Sequence, residues 1–254
     1  MNILLRIMKK IGPKRLILDY YDNESSKALE FRRLASNIEH YNNPYNNPSE
    51  IRSILVTSAA KHEGKSLIAA NLAIAIAKRE EEKKVLLIDG DLRRPTIHSL
   101  FGIRRFPGMS SLLEGKADLY NVICGTELEN LKIIPSGHTV DSPTQLWKNT
   151  KDVIDKCKES CDIVVCDSPP VVPADDASII APYMDGVLMV VMAGKTDKMI
   201  VKRAMEILDG VNAKILGIAL NNLHKMLPYY YDYGYYRYKY DRKYTANGKQ
   251  NKSE

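Results

Sequence analysis

The stretch Thr57-Ser58-Ala59-Ala60-Lys61-His62-Glu63-Gly64-Lys65-Ser66 decides the fold of this chain. It follows the short apolar run Ile54-Leu55-Val56 and opens a helix-like stretch that extends from Ser66 to Lys78. A turn between a strand and a helix presents backbone N–H groups and the positive end of the helix to phosphate groups. The sequence therefore predicts a phosphate loop that binds a nucleoside triphosphate with Mg²⁺. The alternative is a strand, turn and helix with a chance Gly-Lys-Ser.

Within this loop, Lys65 can reach the β- and γ-phosphates, and Ser66 can offer its hydroxyl to Mg²⁺. Ala59 stands where the motif usually has its first glycine, so the strict pattern fails at one residue. The predicted nucleotide-binding residues are Lys61, His62, Glu63, Gly64, Lys65, Ser66 and Leu67.

Two later strand candidates end in aspartates. Asp89 and Asp91 follow the apolar run 85–88, and Asp167 follows the run 163–166. Two acidic residues that are two apart at a strand end fit a Mg²⁺ shell completed by water and phosphate. A strand-end aspartate holds the metal or its water in phosphate-loop enzymes. A polar loop after a strand is common, but three such features in this order favour a Mg-nucleotide site.

The apolar runs alternate with helical patterns and are apolar on both faces. This arrangement predicts an α/β fold of the P-loop NTPase type, with a mostly parallel sheet and helices on both faces. The predicted strands begin with 54–56 and 85–88 and continue with 131–134, 163–165, 187–191 and 215–220. Helices are predicted at 144–158 and 198–208.

Three parts are predicted along the chain. Residues 1–50 form an N-terminal arm with one helix, Ser25 to His40, whose apolar spacing is given by Leu29, Leu34 and Ile38. Residues 51–224 form the phosphate-loop domain. Residues 225–254 have almost no aliphatic side chains, and we expect this tail to be disordered. The tail carries the tyrosines Tyr229, Tyr230, Tyr231, Tyr233, Tyr235, Tyr236, Tyr238, Tyr240 and Tyr244.

Composition narrows the function classes. The net charge of +6 comes from basic residues at both chain ends, so it says little about the central domain. No apolar run approaches the roughly 18–20 residues that span a bilayer, and we expect a cytoplasmic chain. The four cysteines lack the spacing of a zinc site, which favours reduced, mostly buried thiols.

Tyrosines among basic residues can stack on single-stranded nucleic acid. Because nearly all the aromatics are tyrosine, we favour a phosphoacceptor role and expect no nucleic acid.

The phosphate loop, the run 85–95 and the run 167–170 resemble the Walker A, Walker A′ and Walker B motifs of bacterial tyrosine kinases. More narrowly, the chain is similar to the separate cytoplasmic kinase subunit of Gram-positive capsule and exopolysaccharide systems. The resemblance implies an ATP-dependent protein-tyrosine kinase that autophosphorylates its tail tyrosines in trans and regulates polysaccharide synthesis and export.

The resemblance also implies roles for five residues. Lys65 would neutralise charge on the transferred γ-phosphoryl, while Ser66 and Asp91 hold Mg²⁺. Asp167 would orient the water shell of the metal and, with Ser66 and Asp91, forms the predicted metal set. Asp89 is a candidate for accepting the tyrosine proton, with a role at the metal as the alternative.

The implied partners are a membrane adaptor of the polysaccharide co-polymerase type, which binds through its cytoplasmic tail, a homo-oligomeric ring and a cognate tyrosine phosphatase. The implied location is the inner face of the plasma membrane. The chain departs from the family at Lys61-His62, where Pro-Gly is usual, and at Leu67, where threonine is frequent. In the oligomerisation motif ExxRxxR only Arg32 aligns. Two alternatives stay open: a partition- or division-type ATPase, and a weakly active nucleotide-binding scaffold.

Overall fold

A computed structural model describes residues 16–23, 25–41, 50–79 and 82–222. Its centre is a seven-stranded sheet in the order β3-β4-β2-β5-β1-β6-β7. All neighbouring pairs are parallel except β3 and β4. The strands are β1 (Ser53–Ser58), β2 (Val85–Asp89), β3 (Cys124–Gly125), β4 (Leu131–Ile134), β5 (Ile163–Asp167), β6 (Gly186–Met192) and β7 (Ile215–Asn221).

Helices cover both faces of the sheet and enclose two apolar cores. One core lies beneath the helices at 26–41, 65–79 and 97–101, and the other lies beneath the helices between residues 109 and 209. The α-helices are α1 (Ser26–Tyr41), α2 (Lys65–Arg79), α3 (Ile97–Phe101), α4 (Met109–Leu113), α5 (Leu119–Val122), α6 (Thr150–Ser160), α7 (Asp176–Ile180) and α8 (Lys198–Asp209). Short 3₁₀ helices occupy Ile17–Tyr20, Pro143–Asn149 and Ala181–Tyr183.

The predicted α/β fold and its six main strands are confirmed. Every residue of β1, β2 and β5 is buried, as expected for strands covered on both faces. The four cysteines are free and buried. Across the ranges that the structure describes, no helix has both the length and the apolar character needed to cross a bilayer.

The helix predicted over 144–158 is wrong in its first half. A 3₁₀ helix, Pro143–Asn149, comes first, and α6 begins only at Thr150. The tighter helix brings Trp147 into the core at 1 % exposure, where its Nε1 donates to Asp176 Oδ1 at 3.0 Å. A tertiary contact therefore determines the local geometry of this segment.

The buried face of α1 also differs from the prediction. Ala28, Ala35 and Ile38 are buried, whereas Leu29 and Leu34 are half-buried. The small alanines allow α1 to pack closely on α2, which requires little side-chain volume between the two helices. Ala35 occupies the last position of the degenerate oligomerisation motif and lies in this intramolecular contact.

Candidate active site

The phosphate loop, residues 59–64, joins β1 to α2 at the carboxyl edge of the sheet. Two of its residues have left-handed backbones: His62 with φ 64° and Gly64 with φ 88°. A glycine adopts this conformation freely, while a histidine there is strained by about 1 kcal/mol. At Gly64 a Cβ atom would also lie 2.3 Å from Asn221 Nδ2. The side chains of Lys61 and His62 are exposed, so only their backbones line the turn.

Three aspartates meet beside the loop. Asp89 ends β2 and Asp167 ends β5, and the two are direct cross-strand partners in the parallel register. Asp91 follows two residues after Asp89. All three are buried, with exposures of 0 %, 0 % and 4 % for Asp89, Asp167 and Asp91. The sheet thus brings together the carboxylates that the sequence predicts at this edge.

Lys65 is the cation among these carboxylates. Its Nζ lies 3.0 Å from Asp91 Oδ2, and both side chains are largely buried. Burial alone would lower the pKa of Lys65, but the charges of Asp167 and Asp91 outweigh it, so the pKa is raised. Lys65 therefore stays protonated and available for a phosphate.

The carboxylates of Asp89 and Asp167 have unused oxygens. Asp89 Oδ2 accepts from the N–H of Ile97 at 3.1 Å. Within the described part of the chain, Asp89 Oδ1 and both oxygens of Asp167 lack a hydrogen-bond partner although they are buried. Buried carboxylate oxygens without partners are costly unless a cation or water binds them. Carboxylate oxygens suit a hard divalent cation such as Mg²⁺. Among the described residues, no three His, Cys, Asp or Glu side chains are grouped closely enough to hold a metal alone, so water and phosphate would have to complete its shell.

Burial and mutual repulsion perturb this pair. Burial, followed by the negative charges of Asp167 and Asp91, raises the pKa of Asp89 well above its usual range. Burial raises the pKa of Asp167 to about 6, although the charge of Lys65 opposes it. The site therefore has one more negative charge than it readily holds, which favours binding of a cation.

A network behind the site, not predicted from the sequence, fixes the loop that carries Asp91. Arg93 Nε donates to the fully buried Asp176 Oδ2 at 2.9 Å, and its Nη1 donates to the Asp141 carbonyl at 2.8 Å. The N–H of Val140 donates to the Leu92 carbonyl at 3.1 Å. The acidic pair 175–176 is the only sequence signal for these contacts, since a buried aspartate requires a partner.

The other residues predicted for the site lie next to these charges or outside the described residues. Ser66 and Leu67 lie in the first turn of α2, and Glu63 belongs to the phosphate loop and is 3 % exposed. The predicted phosphoacceptor tyrosines, Tyr229 to Tyr244, lie outside the described residues. So do residues 1–15 and 42–49 of the predicted N-terminal part, and the division of the chain into three parts remains a prediction.

Comparison with known proteins identifies the family of this chain. Residues 50–231 match the ParA family of P-loop NTPases, described as NUBPL iron-transfer P-loop NTPases. The tyrosine-protein kinase YwqD of Bacillus subtilis is 33 % identical over 226 residues, which cover 88 % of this chain and 92 % of YwqD.

Solved structures give the same assignment. The chimerical protein CapA2B2 is 30 % identical with a TM-score of 0.73, over 85 % of this chain and 97 % of that one. The kinase domain of the Escherichia coli tyrosine kinase ETK is 25 % identical with a TM-score of 0.75, over 87 % of each chain. The chain therefore belongs to the bacterial tyrosine-protein kinases, within the ParA-type P-loop NTPases.

Proposed function

We propose that this kinase uses Mg-ATP to phosphorylate tyrosines of its own C-terminal segment in trans, and that it regulates capsule or exopolysaccharide synthesis and export. The observation that carries the proposal is the meeting of Lys65, Asp89, Asp91 and Asp167 at one sheet edge, with buried carboxylate oxygens that lack partners in the described ranges. Generic nucleotide binding requires the loop. Transfer of the phosphoryl group to an acceptor also requires the charged side chains around the phosphate loop.

Three residues would hold the metal: Ser66 through its hydroxyl, and Asp91 and Asp167 through their carboxylates. Bound Mg²⁺ would neutralise charge on the phosphates. In the structure Asp91 is shared between Lys65 and the N–H of Arg94, which donates to Asp91 Oδ1 at 2.9 Å. The two contacts fix the carboxylate of Asp91 beside Lys65.

Lys65 would stabilise the transferred phosphoryl group. Catalysis of phosphoryl transfer rests mainly on positioning and on electrostatic stabilisation of the equatorial oxygens. The ammonium lies at the mouth of a buried acidic cluster, so its charge is poorly screened by solvent. A low local dielectric increases the value of such a charge for the transition state.

Asp89 is our candidate for accepting the tyrosine proton. An unperturbed tyrosine hydroxyl has a pKa of about 10, so an ordinary carboxylate is a weak base toward it. The raised pKa of Asp89 brings it closer to the pKa of the tyrosine hydroxyl, which makes Asp89 a better proton acceptor. Its Oδ2 is fixed by Ile97 at the start of α3, while Oδ1 has no partner in the described chain. A role at the metal remains the alternative for this residue.

The partners follow from the family. We propose that the kinase is recruited to the inner face of the plasma membrane by the cytoplasmic tail of a membrane adaptor. We further propose that it assembles into a homo-oligomeric ring, and that a cognate tyrosine phosphatase reverses the modification. We assign no nucleic-acid partner to the tyrosine segment. Each added phosphate would contribute roughly −1.5 to −2 charge and reverse the basic character of that segment.

A mixing experiment tests both the chemistry and its direction. One protein carries Lys65→Met with all tyrosines intact, and the other keeps Lys65 but has phenylalanine at the nine tail positions. Each alone should give no tail phosphotyrosine with Mg-ATP and the adaptor tail. The mixture should give phosphotyrosine on the Lys65→Met chain, mapped by mass spectrometry.

Other outcomes identify the alternatives. Hydrolysis of ATP by the wild type without phosphotyrosine would indicate a partition- or division-type ATPase. Nucleotide binding with neither activity would indicate a scaffold. Phosphotyrosine in the wild type that is missing from the mixture would refute transfer in trans while leaving the kinase assignment intact.

A further inference from the structure

The side chain of Glu63, in the phosphate loop, is bonded to groups of the protein itself. Its carboxylate is buried between the phosphate loop and the loop that joins β6 to α8. Oε2 accepts from the N–H of Ala60 at 2.7 Å, and Oε1 accepts from the N–H of Met192 at 3.3 Å. The hydroxyl of Thr196 also donates to Oε1. One side chain thus joins the start of the phosphate loop to a segment about 130 residues away.

A second contact holds the backbone of the same residue. Asn221, at the end of β7, donates from Nδ2 to the Glu63 carbonyl at 2.8 Å. The Oδ1 atom of Asn221 accepts from the N–H of Asn222 at 2.8 Å, which fixes the orientation of the amide. We call Glu63, Thr196 and Asn221 together the Glu63 clasp. The clasp joins the phosphate loop, the β6–α8 loop and the end of β7.

The clasp holds the loop at its most strained point. Glu63 lies between the two left-handed residues, His62 and Gly64. A non-glycine residue in this conformation persists only where surrounding contacts over-determine it. Backbone N–H groups bind phosphate well only if they are already oriented, because reorganisation on binding reduces affinity. From this geometry we infer that Glu63, Thr196 and Asn221 are positioning residues that hold the phosphate loop in its phosphate-binding shape.

This inference rests on the proposed nucleotide binding. It predicts an effect of Glu63→Gln on phosphate binding that is opposite to the effect expected from charge repulsion alone. A carboxylate close to phosphates repels them, so Glu63→Gln should strengthen phosphate binding if charge alone mattered. If Glu63 instead positions the phosphate loop, Glu63→Gln should weaken phosphate binding. The glutamine amide would turn N–H groups toward the N–H donors of Ala60 or Met192, and one side of the clasp would open.

The sharpest test uses Thr196, which lies outside the phosphate loop. Thr196→Val removes the hydroxyl at nearly constant volume, and Thr196→Ser retains it. Thr126→Val is the matched control, because it removes hydroxyl contacts with Leu128 and Leu131 in the β3–β4 turn. Binding of Mg-pyrophosphate and of Mg-ADP to the full chain is measured by calorimetry. Pyrophosphate isolates the phosphate site from any contact with the base.

We expect Thr196→Val and Glu63→Gln to weaken both ligands about tenfold, which corresponds to about 1.4 kcal/mol. Thr196→Ser and Thr126→Val should bind as the wild type does. Equal affinities in the Thr196 pair, or stronger binding by Glu63→Gln, would overturn the clasp while nucleotide binding stood. Loss of ADP binding with unchanged pyrophosphate binding would overturn it too, because that pattern indicates a base contact. A wild type that bound neither ligand would overturn the clasp and the proposed function together.

Discussion

Asp167→Asn should stabilise the metal-free protein, although it removes a residue of the proposed active site. The folded protein raises the pKa of Asp167 from 3.8 to about 6, so its ionised form is disfavoured by burial. Each pKa unit corresponds to 1.36 kcal/mol, which gives about 3 kcal/mol as the upper limit of the cost. The substitution removes the charge, keeps the size and relieves the repulsion of Asp89.

The raised pKa of Asp167 determines how the stability difference between Asp167→Asn and the wild type changes with pH. Because the folded pKa is raised, the wild type is relatively most stable below pH 3.8 and loses this stability as pH rises through 6. The advantage of Asp167→Asn should therefore be about 3 kcal/mol at pH 7.5 and about 1 kcal/mol at pH 4.5. For a domain of this size, the larger figure is a rise in Tm of about 6–10 °C.

The assay is thermal unfolding in EDTA, followed by the fluorescence of the single tryptophan, Trp147, which is buried. Asp185→Asn is a control of opposite sign. Burial opposes its charge, but Lys158 at 2.8 Å and the N–H of Arg52 at 2.9 Å lower the pKa of Asp185. This control should be destabilised at pH 7.5. If Asp167→Asn were destabilised as well, or if its effect did not change with pH, the reasoning would be refuted.

Two further substitutions test the framework of the site. Arg93→Met should destabilise the protein by about 3–5 kcal/mol in urea, because it leaves Asp176 buried without its cation. Adding Asp176→Asn to Arg93→Met should recover part of this lost stability. If the losses of the two single variants simply added in the double variant, the pairing of Arg93 with Asp176 would be contradicted. Gly102→Ala should cost about 1–2 kcal/mol, since Gly102 has φ 64° and a Cβ there would lie 2.6 Å from Leu16 Cδ2. Unchanged unfolding of Gly102→Ala would show that Leu16 does not pack there.

The strands of the sheet could be predicted because each one is marked by a short apolar run in its own sequence. Apolar runs with both faces buried, such as 54–56 and 163–165, identify parallel strands without knowledge of their neighbours. The positions of Asp89 and Asp167 follow from the same logic, since strand ends of a parallel sheet share one edge. Their direct pairing across β2 and β5 depends on strand order, which periodicity does not contain.

Contacts between distant segments explain what the sequence did not reveal. The 3₁₀ helix around Trp147 depends on Asp176, 29 residues later, and the Glu63 clasp depends on residues 133 and 158 positions away. A glutamate beside a phosphate loop suggests a ligand contact when only its neighbours are visible. In the folded chain its carboxylate is satisfied by the protein itself.

The place where β7 ends has a consequence for the proposed phosphorylation of the tail tyrosines. β7 is two strands from β1, so the end of the sheet at Asn221 lies about 10 Å across the sheet from the strand that leads into the phosphate loop. Tyr229 follows Asn221 by eight residues, which span at most about 29 Å when fully extended. A segment of this length would tether Tyr229 within reach of the active site of its own chain, at an effective concentration on the order of millimolar, so transfer within one chain would compete with the proposed transfer in trans. Transfer between subunits competes with this tether, and its share of the phosphate should rise in proportion to protein concentration.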